Sequence, residues 1–157
     1  YGLVGSEMCI RDRKMNILDL IENSNCTTAS STGLPSNPIP DDLADFYNHY
    51  SSAVFYPKAQ YSFTIQAPEL ERSDFVVMNE DLENPDSANW YALVKCEDQI
   101  ISINLKPGPQ FGYCYDSFWD SYPTADESTL IARSFNELVE KIIKSEGKSL
   151  FWIPGHT

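Results

Sequence analysis

The chain has 157 residues, 42% of them apolar and 13% aromatic, and a formal charge of −12. That length accommodates one domain with a full hydrophobic core and is short for two. The acidity excludes a surface built to grip nucleic acid phosphates or anionic lipid, since both need clustered Lys and Arg, and suits a basic partner.

Leu3-Val4-Gly5-Ser6-Glu7-Met8-Cys9-Ile10-Arg11-Asp12-Arg13 resembles one reading frame of the transposon-end adaptor used to prepare sequencing libraries. Residues 1–14 are therefore expected to be non-native, with Met15 as a start and residues 15–157 as a single domain. Leaving out residues 1–13 keeps the charge at −12, because Arg11 and Arg13 balance Glu7 and Asp12. No run approaches a membrane span and no basic-then-apolar signal pattern stands at the N-terminus, so a cytoplasmic location is expected. Cys9, Cys26, Cys96 and Cys114 contain no C-x-x-C pair and have no His-rich surroundings, which supports neither a zinc site nor a redox motif. Disulfides are not expected, and the glycosylation sequon at Asn25-Cys26-Thr27 carries no weight without a secretion signal.

In chain order, Asn16 to Asn23 reads as a short first helix with Ile17, Leu18, Leu20 and Ile21 apolar. Residues 24–38 are rich in Ser, Thr, Asn, Gly and Pro and read as a loop or linker. Prolines 35, 38 and 40 set an extended approach to the clearest helix, Asp41 to Tyr50. There Leu43, Phe46, Tyr47 and Tyr50 fall at i, i+3, i+4 and i+7, one apolar stripe, while Asp41, Asp42, Asp45 and Asn48 face away. Pro40 suits a first turn and the aspartates complement the positive end of the helix dipole. Ser51-Ser52 then separate this helix from a β-prone run, Ala53 to Tyr56.

Tyr61, Phe63 and Ile65 alternate with polar residues, as in a strand with one wet face. Pro68 to Phe75 reads as one helical turn or loop, and Val76-Val77-Met78 as another short strand. Glu80, Asp81, Glu83 and Asp86 fall in a surface loop. It lacks the mid-loop Gly of a calcium-binding EF-hand and is read as solvated. Trp90 to Cys96, Gln99 to Leu105 and Phe111 to Tyr115 form an antiparallel meander. Residues 116–127 mix Phe118, Trp119 and Tyr122 with Asp116, Asp120, Asp126 and Glu127; this segment is either an interaction loop or a plug on the core edge.

Thr129 to Ala132 leads to the last helix. Ser134 and Glu137 form a capping box, Phe135, Leu138, Val139, Ile142 and Ile143 make the apolar stripe that packs on the sheet, and Gly147 stops the helix. Leu150 to Ile153 is a final strand or a hydrophobic tail. No phosphate loop, G-x-S-x-G elbow or H-E-x-x-H occurs, and His49 and His156 stand alone, so an enzyme is not expected.

The order Leu34-Pro35, Pro40-Asp41-Asp42-Leu43, Phe46-Tyr47, Trp90-Tyr91, Ile101-Ser102-Ile103, Gly112-Tyr113-Cys114-Tyr115 and Ile131-Ala132-Arg133-Ser134-Phe135 resembles the SUKH superfamily, which includes a yeast cell-wall synthesis regulator and the bacterial protein Syd. The likeness runs from about Leu34 to Ile143. It departs at Tyr50-Ser51-Ser52, where family members often carry Asn-Gly. The resemblance implies an α+β fold, a twisted, mainly antiparallel sheet with helices on one side, and no cofactor. It also implies a bacterial immunity protein that neutralises a polymorphic nuclease or deaminase toxin. In the alternative, it is a regulatory scaffold for an endogenous partner. A hydrolase using a carboxylate pair is the remaining reading. An acidic inhibitor suits the basic cleft of a nuclease. Glu69, Glu71, Asp74, Glu80, Asp81, Glu83 and Asp86 are the expected partner-binding charges, with Trp119, Asp120 and Tyr122 beside them.

Overall fold

The computed structural model describes residues 16–85, 87–97, 99–117 and 128–153. Their elements, in chain order, are α1 (Ile17–Glu22), β1 (Cys26–Ser30), α2 (Asp41–His49), β2 (Tyr50–Phe55), β3 (Phe63–Ile65), α3 (Ser73–Val77), β4 (Trp90–Cys96), β5 (Gln99–Asn104), β6 (Cys114–Asp116), β7 (Leu130–Ala132) and α4 (Phe135–Ser145). The seven strands form one sheet in sequential order, β1 to β7, with every neighbouring pair antiparallel. This is the α+β class that the resemblance implies.

Strand alternation divides the sheet into two differently covered faces. Ala53, Phe55, Phe63, Ile65, Val94, Ile101, Ile103 and Cys114 share the face that packs against α1, α2 and α4. Trp90, Ala92, Ser102 and Tyr115 point the other way, where the short α3 lies. Trp90 and Tyr115 stack there with ring centroids 4.6 Å apart and Val77, Met78 and Leu82 against them. Three helices thus hold the main core, and α3 covers a smaller one behind it.

On α2, Leu43, Phe46 and Tyr47 are buried as the stripe requires. Pro40 is the cap residue, its carbonyl accepting the Ala44 N–H at 2.9 Å, so it stands one place before the first turn. Tyr50 caps the helix and opens β2 at once. Ser51 and Ser52 belong to that strand and not to a spacer, because β2 needs their backbone to pair with β1. Tyr56 lies beyond the strand at φ 55°.

The expected loop over 24–38 is corrected at Cys26–Ser30, which forms β1. The strand is an edge whose side chains are mostly exposed, so no apolar alternation marks it, and the open side of β2 supplies its backbone partners. The expected strand at Val76-Val77-Met78 is also corrected: Val76 and Val77 are helical in α3 and Met78 caps it. Tertiary anchoring at Ser73 and Asp74 overrides the β preference of the valines. Tyr61 lies outside β3, and Phe111 and Gly112 form the turn into β6, where Gly112 takes φ +91°.

Leu130–Ala132 is itself a strand at the second sheet edge. Its pairing with β6 skips Ile131, and Lys141 of α4 donates to the Ile131 carbonyl at 2.7 Å. A short, bulged, lysine-capped edge resists pairing with other chains. On α4, Ser134 accepts the Glu137 N–H at 3.1 Å and Glu137 accepts the Arg133 N–H at 2.6 Å. Glu146 and Gly147, both at positive φ, end the helix. The described residues after it form no strand: Leu150 is buried and Phe151, Trp152 and Ile153 pack on the core as a tail. Cys26, Cys96 and Cys114 are free thiols.

Candidate partner-binding surface

The sequence between Ala67 and Pro85 holds six acids and one cation, Arg72. Arg72 organises the rest. Its guanidinium donates to Asp74 at 2.9 Å and to both carboxylate oxygens of Asp81 at 3.2 and 3.3 Å. Asp74 is fully buried on α3 and also accepts the Leu82 N–H and the Ser87 hydroxyl, each at 3.2 Å. Its negative charge is therefore spent inside the protein, and Asp74 is corrected from a surface charge to the internal clamp that folds the loop back onto α3.

Asp81 is exposed. The Glu83 N–H, first, and the Arg72 guanidinium hold its carboxyl below the usual range, so it is ionised throughout the physiological range. Glu71, Glu80 and Glu83 are exposed around it. Glu69 is exposed too but engaged elsewhere, accepting from the Ser36 N–H at 2.5 Å and the Ser36 hydroxyl at 3.0 Å. Glu69 and Glu71 both line a shallow cavity of about 160 Å³ with Gln66, Leu70 and Lys95. Asp86, Trp119, Asp120 and Tyr122 lie outside the described residues.

Arg72 also lies against a residue that the sequence pattern did not single out. Phe75, on α3, is 49% exposed, and the described residues include no other aromatic ring among their exposed large apolar side chains. The Arg72 guanidinium lies 5.5 Å from its ring centroid, a cation–π contact. The available signal was Ser73-Asp74, polar residues of the kind that open helices, directly before Phe75. Behind the helix, the hydroxyls of Ser73, Ser102 and Ser117 form a buried chain with 2.5 Å links that seats α3 on the sheet.

A second groove, of about 550 Å³, lies between β7, α4 and the tail, lined by Leu130, Lys141, Lys144, Phe151 and Trp152 among others. Among the described residues no cluster of three or more His, Cys, Asp or Glu is arranged to hold a metal ion, and no helix is long and apolar enough to cross a membrane. His49 is exposed, its ring Nδ1 3.0 Å from the Asp45 carbonyl oxygen.

No family model matches the chain, and no solved structure matches it at a significant level. A curated protein does. Immunity protein YokJ of Bacillus subtilis (strain 168) is 31% identical over 147 residues, spanning 88% of this chain and 87% of that protein. At that identity over most of both lengths, the chain belongs to the immunity-protein family of YokJ.

Proposed function

We propose that this chain is a non-enzymatic immunity protein that binds a protein toxin and neutralises it. The observation that carries this reading is the 31% identity to an immunity protein along most of both chains. The finer reading places the domain, residues 15–157, in the SUKH superfamily. It acts in the cytoplasm on a nuclease or deaminase toxin with a basic cleft. The net charge of −12 supports a cationic partner, because opposite net charges steer association. Exposed Glu71, Glu80, Asp81 and Glu83 supply a concentrated negative field beside α3.

The test uses protein beginning at Met15 and the toxin domain encoded beside this chain's gene. Co-expression should restore growth to cells making the toxin, and the purified proteins should form a one-to-one complex whose association slows as salt rises. Failure to protect, together with capture of endogenous proteins only, would move the assignment to a regulatory scaffold.

A further inference from the structure

Resting on the toxin-neutralising reading, we infer that Phe75 is the apolar anchor of the toxin interface, and that it enters a recess on the partner rimmed by Lys or Arg side chains. Val77, Met78 and Leu82 are drawn inward onto Trp90 and Tyr115, whereas Phe75 belongs to neither core cluster. An aromatic ring left half in water on a short helix is an apolar surface without a covering group, and such patches rimmed by polar residues mark interaction sites.

The ring is also ordered in advance. Arg72 lies against it and is itself forked between Asp74 and Asp81, while Ser73 is hydrogen-bonded to Ser102 under the helix. A side chain held in place before binding loses little conformational freedom on docking, which is the property of an energetic hot spot. The Arg72 charge is consumed by these two aspartates, and between Ala67 and Pro85 no other cation stands in the sequence to offset Glu80 and Glu83, while Glu71 shares its cavity with Lys95.

Charge decides which occupant fits. A second copy would bring the same carboxylates and another −12 against this patch, and an anionic membrane would be repelled in the same way. A cationic protein surface meets both the ring and its rim. Rim charges govern the rate of encounter and a buried aromatic anchor governs the rate of escape. The two contributions separate kinetically.

The experiment measures association and dissociation rates with the catalytically inactive toxin domain encoded beside this chain's gene. Phe75→Ala should raise the dissociation rate at least about tenfold with little change in association, as truncation of a hot-spot aromatic does. Glu71→Gln, Glu80→Gln and Glu83→Gln combined should slow association at low salt and converge with wild type at high salt. Leu34→Ala, at the most exposed large apolar side chain among the described residues, serves as the control and should leave both rates unchanged. Thermal melting of Phe75→Ala should show a cooperative transition only modestly below wild type, because half of the residue is already in water. Binding by the wild type with a Phe75→Ala dissociation rate within about twofold of it overturns the anchor while sparing the immunity reading. No binding by the wild type overturns the immunity reading and the anchor with it.

Discussion

The carboxylate of Asp42 accepts the backbone N–H of Asn136 at 3.0 Å, joining the first turn of α2 to the first turn of α4 across 94 residues of chain. The other oxygen of Asp42 accepts the N–H of Leu43 at 2.9 Å. One side chain thus satisfies a free donor at the start of each of two helices, where the dipole of each favours negative charge. Asp42→Ala should lower the unfolding free energy by about 1.5–3 kcal/mol, the cost of losing charged hydrogen bonds in a half-buried position. Urea denaturation with an unchanged m-value checks this.

Asp74 is the more severe case. It is buried with Arg72, the Leu82 N–H and the Ser87 hydroxyl as its partners. Asp74→Ala removes the charged acceptor of the Leu82 N–H, the Ser87 hydroxyl and Arg72, which keeps Asp81, and should cost about 3 kcal/mol. Asp74→Asn keeps one acceptor oxygen and should fall between that variant and wild type. Equal stability of all three would show that the loop does not depend on this carboxylate.

Gly147 takes φ +73°, and a Cβ there would stand 2.6 Å from the Ala59 Cβ and 2.9 Å from the Tyr61 carbonyl oxygen. The Gly147 carbonyl in turn accepts the Tyr61 N–H at 3.0 Å, so the close approach cannot be relieved without losing a bond. Gly147→Ala should destabilise the fold by about 2–4 kcal/mol through overpacking and left-handed strain. The drop in Tm should exceed that of Gly33→Ala, whose surroundings are open.

Burial pushes the Cys26 thiol up to about 11 and the Cys96 thiol up to about 12, against 9.0 for the free group, and raises Cys114 and Tyr47 as well. A folded-state pKa above the unfolded one gives stability that is complete below pH 9 and is lost as pH rises toward 12. Unfolding free energy should therefore decline over that window. In protein starting at Met15, the buried Cys96 and Cys114 thiols should react slowly with a disulfide reagent at pH 8 until denaturant is added, and half-exposed Cys26 on the edge strand should react before them. Prompt reaction of all three thiols in the native protein would contradict the burial of Cys96 and Cys114.

The two principal helices were legible in the residues. Leu43, Phe46 and Tyr47 on α2, and Ser134 with Phe135, Leu138, Val139 and Ile142 on α4, carry their own period and caps, and each is buried or capped as that pattern demands. β4 and β5 were legible for the same local reason, as continuous apolar runs bounded by turns.

Most of the misread segments depend on distant partners. β1 exists because β2 offers an open edge to Thr27 and Thr28, and β7 because β6 does the same for Leu130. α3 winds Val76 and Val77 into a helix because Ser73 and Asp74 are gripped from β5 and from the following loop. The candidate surface divides in the same way. Its acidity and its place in the chain could be read directly, since charge is a sum over residues. Which acids face outward was decided by a single arginine: Arg72 holds Asp74 inside and Asp81 at the rim. The sequence alone determined the acidic character, the amphipathic helices and the β-rich centre, each a property of neighbouring residues. Tertiary contact alone decided the sheet edges, the second face under α3 and the exposure of Phe75, because burial is set by partners far away along the chain.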